Sequence, residues 1–199
     1  MLEAGVRLVA ERGLEGFTLA EVGEAAGFSR GLPAYHFGSK DDYQAELIRF
    51  ITREYSAHLE AHTVESGLAG LVDLVRSFLD ASQKDPIVLC VLQIGLSKYI
   101  REPVQDVDST PMCEATLGAF EHKIREGVRR GEIRPDVNPR MVSVLLTAAI
   151  RGALTEWLND RATDLVVAGN ELIGLMVPGL AVEPLAGMGL PQAAPARSR

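Results

Sequence analysis

The sequence predicts an all-α fold, and three observations support this prediction. Apolar residues recur with helical spacing nearly everywhere, whereas strand-like alternation is weak. Capping side chains stand directly before several of these periods. Hydrophobic residues make up 47% of the 199 residues, enough for one or two compact units with an apolar core. We expect a small N-terminal bundle of three helices, joined by a long helix to a larger helical body.

The first two predicted helices have recognisable ends. An apolar periodic segment runs from Leu2 to Arg12, and Gly13 follows it as a stop. Thr18 and Glu21 then form a capping box, in which each residue can accept the other's backbone amide proton. Gly27 closes this second helix, because glycine adopts the left-handed conformation of a helix terminus without strain.

The next two helices follow at once. Ser29 is the expected N-cap of a short third helix that reaches about Phe37. Ser39, followed by Asp41 and Asp42, is expected to cap a long fourth helix ending near residue 62. This helix carries an apolar residue at every fourth position, a stripe made of Tyr43, Leu47, Ile51, Tyr55 and Leu59.

Five further helices are predicted in the remainder of the chain. Three of them begin with a proline behind a capping side chain, in Asp85-Pro86, Thr110-Pro111 and Asn138-Pro139. A polar loop is expected over Glu102–Ser109. The predicted helices are Leu68–Ser82, Pro86–Ile100, Pro111–Arg130, Pro139–Asp160 and Thr163–Val177.

The predicted domains are an N-terminal helix-turn-helix domain over residues 1–45 and a helical body over residues 46–180. Residues 181–199 are rich in proline, alanine and glycine, which predicts a disordered tail. No secretory signal is evident, and the chain has only two cysteines, Cys90 and Cys113, so we expect a reducing cytoplasm and no disulfide framework. The apolar runs Met141–Ile150 and Leu172–Val177 are short and interrupted, which predicts no membrane partner.

The second and third predicted helices, packed on the first, form a helix-turn-helix unit. In such a unit the second helix enters the major groove of duplex DNA with its N-terminal residues at the base edges. Arg30 can bind guanine O6 and N7 together, and Gly31 lets the backbone approach closely. Tyr35 and His36 can donate hydrogen bonds to phosphates, and Lys40 adds a positive charge nearby. The net charge of −7 means that any positive groups for DNA must be concentrated locally.

The stretch "LEAGVRLVAERGLEGFTLAEVGEAAGFSRGLPAYHFGSKDD" resembles the DNA-binding domain of TetR-type transcriptional regulators. The resemblance covers about the first quarter of the chain. It implies a ligand-responsive regulator, expected to be a repressor, that binds a palindromic operator as a homodimer and is released by a small molecule. Leu32, Pro33 and Ala34 depart from the usual pattern, and Leu32 favours an apolar contact with a thymine methyl group. The candidate DNA-binding residues are Thr18, Ser29, Arg30, Gly31, Leu32, Pro33, Tyr35, His36 and Lys40.

The last two predicted helices are apolar nearly all round, as in "MVSVLLTAAI". Two such helices per chain predict a homodimer built through a four-helix bundle, and burial within one monomer is the alternative. The other body helices are expected to surround a cavity for an unidentified effector. Its candidate lining residues, each of which also fits a plain core position, are Cys90, Gln93, Tyr99, Phe120 and Trp157.

The sequence gives little support to other kinds of site. His58 and His62 stand four residues apart, but no third ligand accompanies them, so no metal is expected. The two cysteines could form a redox switch, although buried apolar cysteines are commoner. No paired carboxylates, nucleophile motif or phosphate loop emerges, so no catalytic residue and no cofactor is predicted. The alternatives that stay open are a helical enzyme and a DNA-binding regulator or activator that senses no ligand.

Overall fold

The computed structural model describes residues 1–61, 66–100 and 110–182. Over these ranges the chain forms nine α-helices and one isolated β-bridge between Ile133 and Ala181. The predicted all-α fold is confirmed. The helices are α1 Leu2–Arg12, α2 Leu19–Ala25, α3 Leu32–Phe37, α4 Lys40–Ala61, α5 Gly67–Lys84, α6 Pro86–Ile100, α7 Thr110–Arg129, α8 Pro139–Asn159 and α9 Leu165–Leu180.

The helices group into two compact units. The first comprises Met1–Ala61 and Ala81–Thr116, and the second comprises His62–Asp80 and Leu117–Arg199. The predicted functional boundaries at residues 45 and 180 stay predictions, because packing units need not coincide with functional domains. The predicted loop Glu102–Ser109 and the tail from Glu183 onward lie outside the described residues.

The caps of the first unit follow the sequence closely. The Thr18 hydroxyl accepts the Glu21 amide proton, and the Glu21 carboxylate accepts the Thr18 amide proton, so the predicted capping box is present. Ser39 and Asp42 make the same reciprocal pair at the start of α4. Gly27 has a φ of 76°, the left-handed conformation expected of it.

The start of α3 differs from the prediction. Ser29 is not its N-cap, since the helix begins at Leu32 and Gly31 holds the capping position. The reason is Pro33, which has no amide proton. With Ser29 as N-cap, the amide of residue 33 would have to donate to the Ser29 carbonyl, whereas from Gly31 the proline falls in the first turn, where no intrahelical donor is needed.

The long helix α4 and the helix α6 pack the first unit together. The five apolar residues of the predicted α4 stripe are all buried. In α6, Cys90 is fully buried, and its thiol donates to the Val6 carbonyl of α1 at 3.1 Å. Tyr55 and Thr116 join their hydroxyls at 2.9 Å. The predicted DNA-binding helices α1–α3 (called the reading head below) therefore pack in one unit with α6, which comes from the predicted body.

The second unit is held by caps between elements. Glu132 accepts the Leu68 amide proton at 2.9 Å, so a carboxylate from the turn after α7 caps the start of α5. Asn138 caps α8 through the Met141 amide, and Asp164 caps α9. The helix α9 begins two residues later and ends three residues later than predicted, and it includes Pro178 in its last turn.

Candidate nucleic-acid interface

The turn between α2 and α3 is tightly built. The Phe28 amide donates to the Gly23 carbonyl at 2.8 Å, and the Leu32 amide donates to the Ser29 carbonyl at 3.1 Å. Gly23 is buried where the two helices meet, and a Cβ there would lie 2.6 Å from the Ser29 carbonyl oxygen. The close contact therefore requires a glycine, and it fixes the position of α3 against α2.

The face predicted to read DNA, Ser29–Tyr35, is largely exposed at this turn. Ser29, Arg30 and Gly31 are exposed, and the Tyr35 side chain is 89% exposed. Leu32 is half-buried. A face of this kind is free to meet a groove without any rearrangement of the head.

Pro33 behaves differently from the other candidate residues. It is buried, with its ring atoms close to Gly23 of the neighbouring helix. A buried ring cannot reach a base or a phosphate directly, so its place among the DNA-contacting candidates is not supported by its position. Its contribution is to set the first turn of α3 and to pack that helix on α2.

Aromatic rings hold the far end of α3. The rings of Phe37 and Tyr43 meet edge to face with their centroids 4.8 Å apart, and Phe17 packs on Tyr43 in the same way at 6.0 Å. The Tyr43 hydroxyl donates to the Met1 carbonyl at 3.2 Å, and burial raises its pKa to about 12. His36, at the edge of this cluster, is exposed.

The head is acidic for a DNA-binding surface. Residues 1–43, all of which the structure describes, contain seven acidic and four basic side chains. Each basic side chain has a partner within the head, and three of the four partners are glutamate carboxylates. These contacts are Arg12–Glu21 at 2.9 Å, Arg30–Glu24 at 3.3 Å, Lys40–Glu15 at 3.2 Å, and Arg7 to the Ala25 carbonyl at 3.4 Å.

Like Arg30, the candidate contacts Lys40 and Thr18 have hydrogen-bonding or ionic partners within the head. The Lys40 ammonium bonds both the carbonyl and the carboxylate of Glu15 and lies 5.3 Å from the centre of the Phe17 ring. The Thr18 hydroxyl donates a hydrogen bond to the Glu21 carboxylate and accepts one from the Glu21 amide. The hydrogen bond to the carboxylate lowers the pKa of Glu21. A phosphate contact by either residue would compete with these bonds, and the role of each in DNA binding stays a prediction.

Two residues of this surface were missed by sequence reasoning. Glu24 pairs with Arg30 across the turn, and a spacing of six residues gives no sign of such a pair in a helical pattern. Phe28 is 49% exposed beside Ser29, where an apolar residue would ordinarily be assigned to the core. The ion pair of Glu24 and the exposure of Phe28 both follow from the geometry of the turn, which the sequence pattern does not give.

The candidate effector residues are divided between the two units. Cys90 and Gln93 belong to the first unit, and Cys90 is occupied by its contact with α1. Phe120 and Trp157 belong to the second unit, and Arg161 lies 3.6 Å above the Trp157 ring. Gln93 is half-buried, not fully buried as the sequence suggested. The side chain of Tyr99 lies outside the described residues, and the effector role of all five stays a prediction.

An open cleft of about 840 Å³ is found elsewhere in the first unit. Its walls come from the first residues of α1, the end of α3 and the start of α4, including Glu3, His36 and Arg49. None of the four candidate effector residues whose side chains the structure describes lines it. The cleft borders the reading head and shares His36 with it.

The helices α8 and α9 expose an unusual amount of apolar surface. The large exposed residues are Met141, Val144 and Leu145 of α8 and Val166, Val167 and Leu175 of α9. Gly152 and Gly174 are exposed helix residues at which a Cβ would meet nothing within 4 Å. Glycine costs about 0.5–1 kcal/mol relative to alanine inside a helix, and the described monomer gives no packing reason for it at these two positions.

By length and composition, α8 is also apolar enough to cross a membrane, contrary to what the short run Met141–Ile150 suggested. Only 28% of its most apolar window is buried in the monomer. A helix with one face on its own core and a second apolar face for a partner meets the same criteria of length and composition.

The α1–α3 bundle, its tight turn and its exposed second helix define a helix-turn-helix DNA-binding head. Residues 1–43 match the family model described as "Bacterial regulatory proteins, tetR family". The N-terminal head matches this family, so the resemblance found in the sequence is confirmed, and the chain is a DNA-binding transcriptional regulator.

Similar proteins support the same assignment over most of the chain. The fatty acid metabolism regulator protein of Bacillus subtilis is 23% identical over 90% of this chain and 93% of its own length. The HTH-type transcriptional repressor AcnR of Corynebacterium glutamicum is 27% identical over 82% of this chain and 83% of its own. A solved structure of a putative transcriptional regulator from Saccharomonospora viridis, in complex with choline, superposes with a TM-score of 0.75 at 22% identity, covering 92% of this chain and 96% of that one.

Proposed function

We propose that the chain is a repressor that binds a palindromic operator as a homodimer and is released from it by a small-molecule effector. The observation that carries the proposal is the open Ser29–Tyr35 face on a rigid turn, in a head that matches the tetR family. In this proposal α3 lies in the major groove, with Arg30 at a base edge and Tyr35 at a phosphate.

Dimerisation is supported by the exposed apolar surface of α8 and α9. A single six-residue helix reads too few base pairs for useful specificity, and two copies related by a two-fold axis double the number. In the proposed dimer α8 and α9 of each protomer form a four-helix bundle. Gly152 and Gly174 would then mark positions where the partner's backbone comes close.

Effector release is supported by the relatives. Among similar solved structures, that of the regulator FadR from B. subtilis is a complex with stearoyl-CoA, and the S. viridis structure is a complex with choline. These two ligand chemistries differ, so they favour a small-molecule effector without fixing its class. The effector must bind the non-reading arrangement of the dimer more tightly than the reading one, because only differential affinity shifts an equilibrium between two states.

The two alternatives to this proposal are a helical enzyme and a regulator without an effector, and the experiment described below distinguishes them. A helical enzyme is disfavoured because the similar proteins are transcriptional regulators. A regulator without an effector would bind DNA and respond to no small molecule. A cytoplasmic location belongs to the proposal, since a regulator of this kind acts where the genome lies.

The test is a gel shift of the full chain on the DNA that flanks its own gene, at several salt concentrations. We expect a sequence-specific complex that weakens steeply with salt, because phosphate contacts release counterions. Small molecules extracted from the purified chain are then added back, and release of the DNA identifies the effector. Absence of binding to any DNA would overturn the proposal and favour the enzyme.

A further inference from the structure

Arg30 is presented to solvent in a fixed place. It follows Ser29, whose carbonyl is bonded to the Leu32 amide, and it precedes the first turn of α3. Its side chain is 73% exposed. The backbone is therefore fixed, but the side chain alone has many rotamers, and something must select the one that meets a base.

Glu24 lies in the last turn of α2, on the other side of the same turn. Its Oε1 atom is 3.3 Å from Nη1 of Arg30, and its side chain is 51% exposed. The contact between Gly23 and the Ser29 carbonyl holds the two backbones together, so the pair spans a rigid gap. Both side chains lie on the surface that faces DNA in the proposed function.

The chemistry of the guanidinium group makes this pair useful for reading. Arginine carries five N–H donors in a planar fork, and one edge of the fork can hold a carboxylate while another meets the O6 and N7 acceptors of guanine. A phosphate, by contrast, brings negative charge toward the same fork and is repelled by the Glu24 carboxylate. The pair thus favours the neutral base edge over the charged backbone.

We propose that Glu24 is a positioning residue for specificity, which holds Arg30 in the rotamer that reads guanine and disfavours its contact with phosphate. This inference rests on the proposed function and names a residue outside the nine candidate contacts. It also accounts for an acidic side chain at the edge of a DNA-binding surface. Nonspecific complexes, in which Arg30 would contact phosphate, are penalised more than the specific one.

The test compares the full chain with Glu24→Gln and Arg30→Ala, singly and together, on duplex DNA. The probes are the preferred duplex selected by the wild-type chain, its single base-pair variants, and a scrambled duplex. Glu11→Gln is the matched control, because it removes the same charge from an exposed position on α1. Circular dichroism confirms the fold of each variant, and glutamine keeps the helix propensity of glutamate.

We expect Glu24→Gln to lower the preference for one G·C pair by about fivefold, a fraction of the discrimination that a bidentate arginine supplies. Binding to the scrambled duplex should tighten. Arg30→Ala should lower the binding preference at the same base pair, and the double variant should lower this preference no further. Glu11→Gln should leave the preference at that pair unchanged.

Three results would overturn the inference. Equal tightening of Glu24→Gln on every duplex would mean that Glu24 only masks charge, and an unchanged preference would mean that it does not position Arg30. Both of these leave the proposed function standing. A wild-type chain with no sequence preference at all would instead overturn the proposed function together with the inference.

Discussion

The rings of Phe37 and Tyr43 meet edge to face with their centroids 4.8 Å apart, and this contact joins the short helix α3 to the long helix α4. Tyr43 is fully buried, whereas Phe37 is half-buried at the end of α3. The contact therefore ties a six-residue helix, which is too short to be stable alone, to the helix that crosses the first unit.

Replacing Phe37 by alanine should weaken the packing of α3 against α4. We expect a loss of about 2 kcal/mol in unfolding free energy, less than for a fully buried phenylalanine, and weaker binding to every DNA sequence. Tyr35→Ala is the control for stability alone, since Tyr35 is 89% exposed and its replacement should leave the unfolding free energy unchanged. Urea denaturation measures the first effect and fluorescence anisotropy the second. Equal stabilities of the two variants would contradict the packing role of Phe37.

The capping box at the start of α2 should be measurable. Thr18→Ala removes the hydroxyl that accepts the Glu21 amide proton, and we expect a loss of about 1 kcal/mol at pH 7. Chemical denaturation measures it. A loss indistinguishable from zero would mean that the cap contributes nothing in solution.

The same pair gives a pH dependence. Hydrogen bonds from Thr18 lower the pKa of Glu21 below its ordinary value of 4.5 in the folded chain. Its contribution to stability is therefore complete above the pKa of the unfolded chain and is lost as the pH falls through the folded value. The stability difference between the wild type and Glu21→Gln should shrink as the pH falls below 4.5 and through the lowered pKa of the folded chain. A difference that grows on acidification would have the wrong sign.

Arg30 and Lys40 should affect DNA binding in different ways. Arg30→Ala should weaken the binding free energy on the preferred sequence by about 1–3 kcal/mol and reduce the specificity at one base position. If Lys40 contacts a phosphate, Lys40→Ala should weaken all sequences alike and reduce the salt slope by about 1. If Lys40 serves only to hold Glu15, the salt slope stays unchanged while stability falls. Binding that both variants leave intact would contradict the proposed docking of α3.

A charge on the exposed face of α8 should break the dimer. Leu145 is 62% exposed in the described monomer, so Leu145→Glu should leave the fold intact and shift the chain to a monomer. Ala57→Glu, at an exposed position of α4, is the matched control. Analytical ultracentrifugation distinguishes the two states. A Leu145→Glu chain that remains dimeric would place the interface elsewhere.

Most helix boundaries were predictable because their signals are local. Capping side chains, glycine stops and proline starts act within three or four residues, and α1 and α6 match their predicted ranges at both ends. The start of α3 was missed for a local reason as well. A serine that resembles an N-cap was outweighed by the missing amide of Pro33 four residues later.

The polar contacts of the head with residues distant in the sequence could not be predicted. Glu15 meets Lys40 over 25 positions in the sequence, and Cys90 meets Val6 over 84. Such contacts depend on how helices pack, and periodicity reports which face is apolar without saying which neighbour covers it. The helix-turn-helix was predictable from the sequence, whereas the ion pair between Arg30 and Glu24 required the geometry of the turn.

The most direct test of the central claim is selection of preferred duplexes from a random DNA library by the full chain, followed by light scattering of the complex. We expect an inverted repeat bound by two chains, with half-site centres one helical turn apart, about 34–36 Å, or a multiple of this. A library with no enriched sequence, or an enriched site bound by a single chain, would contradict it.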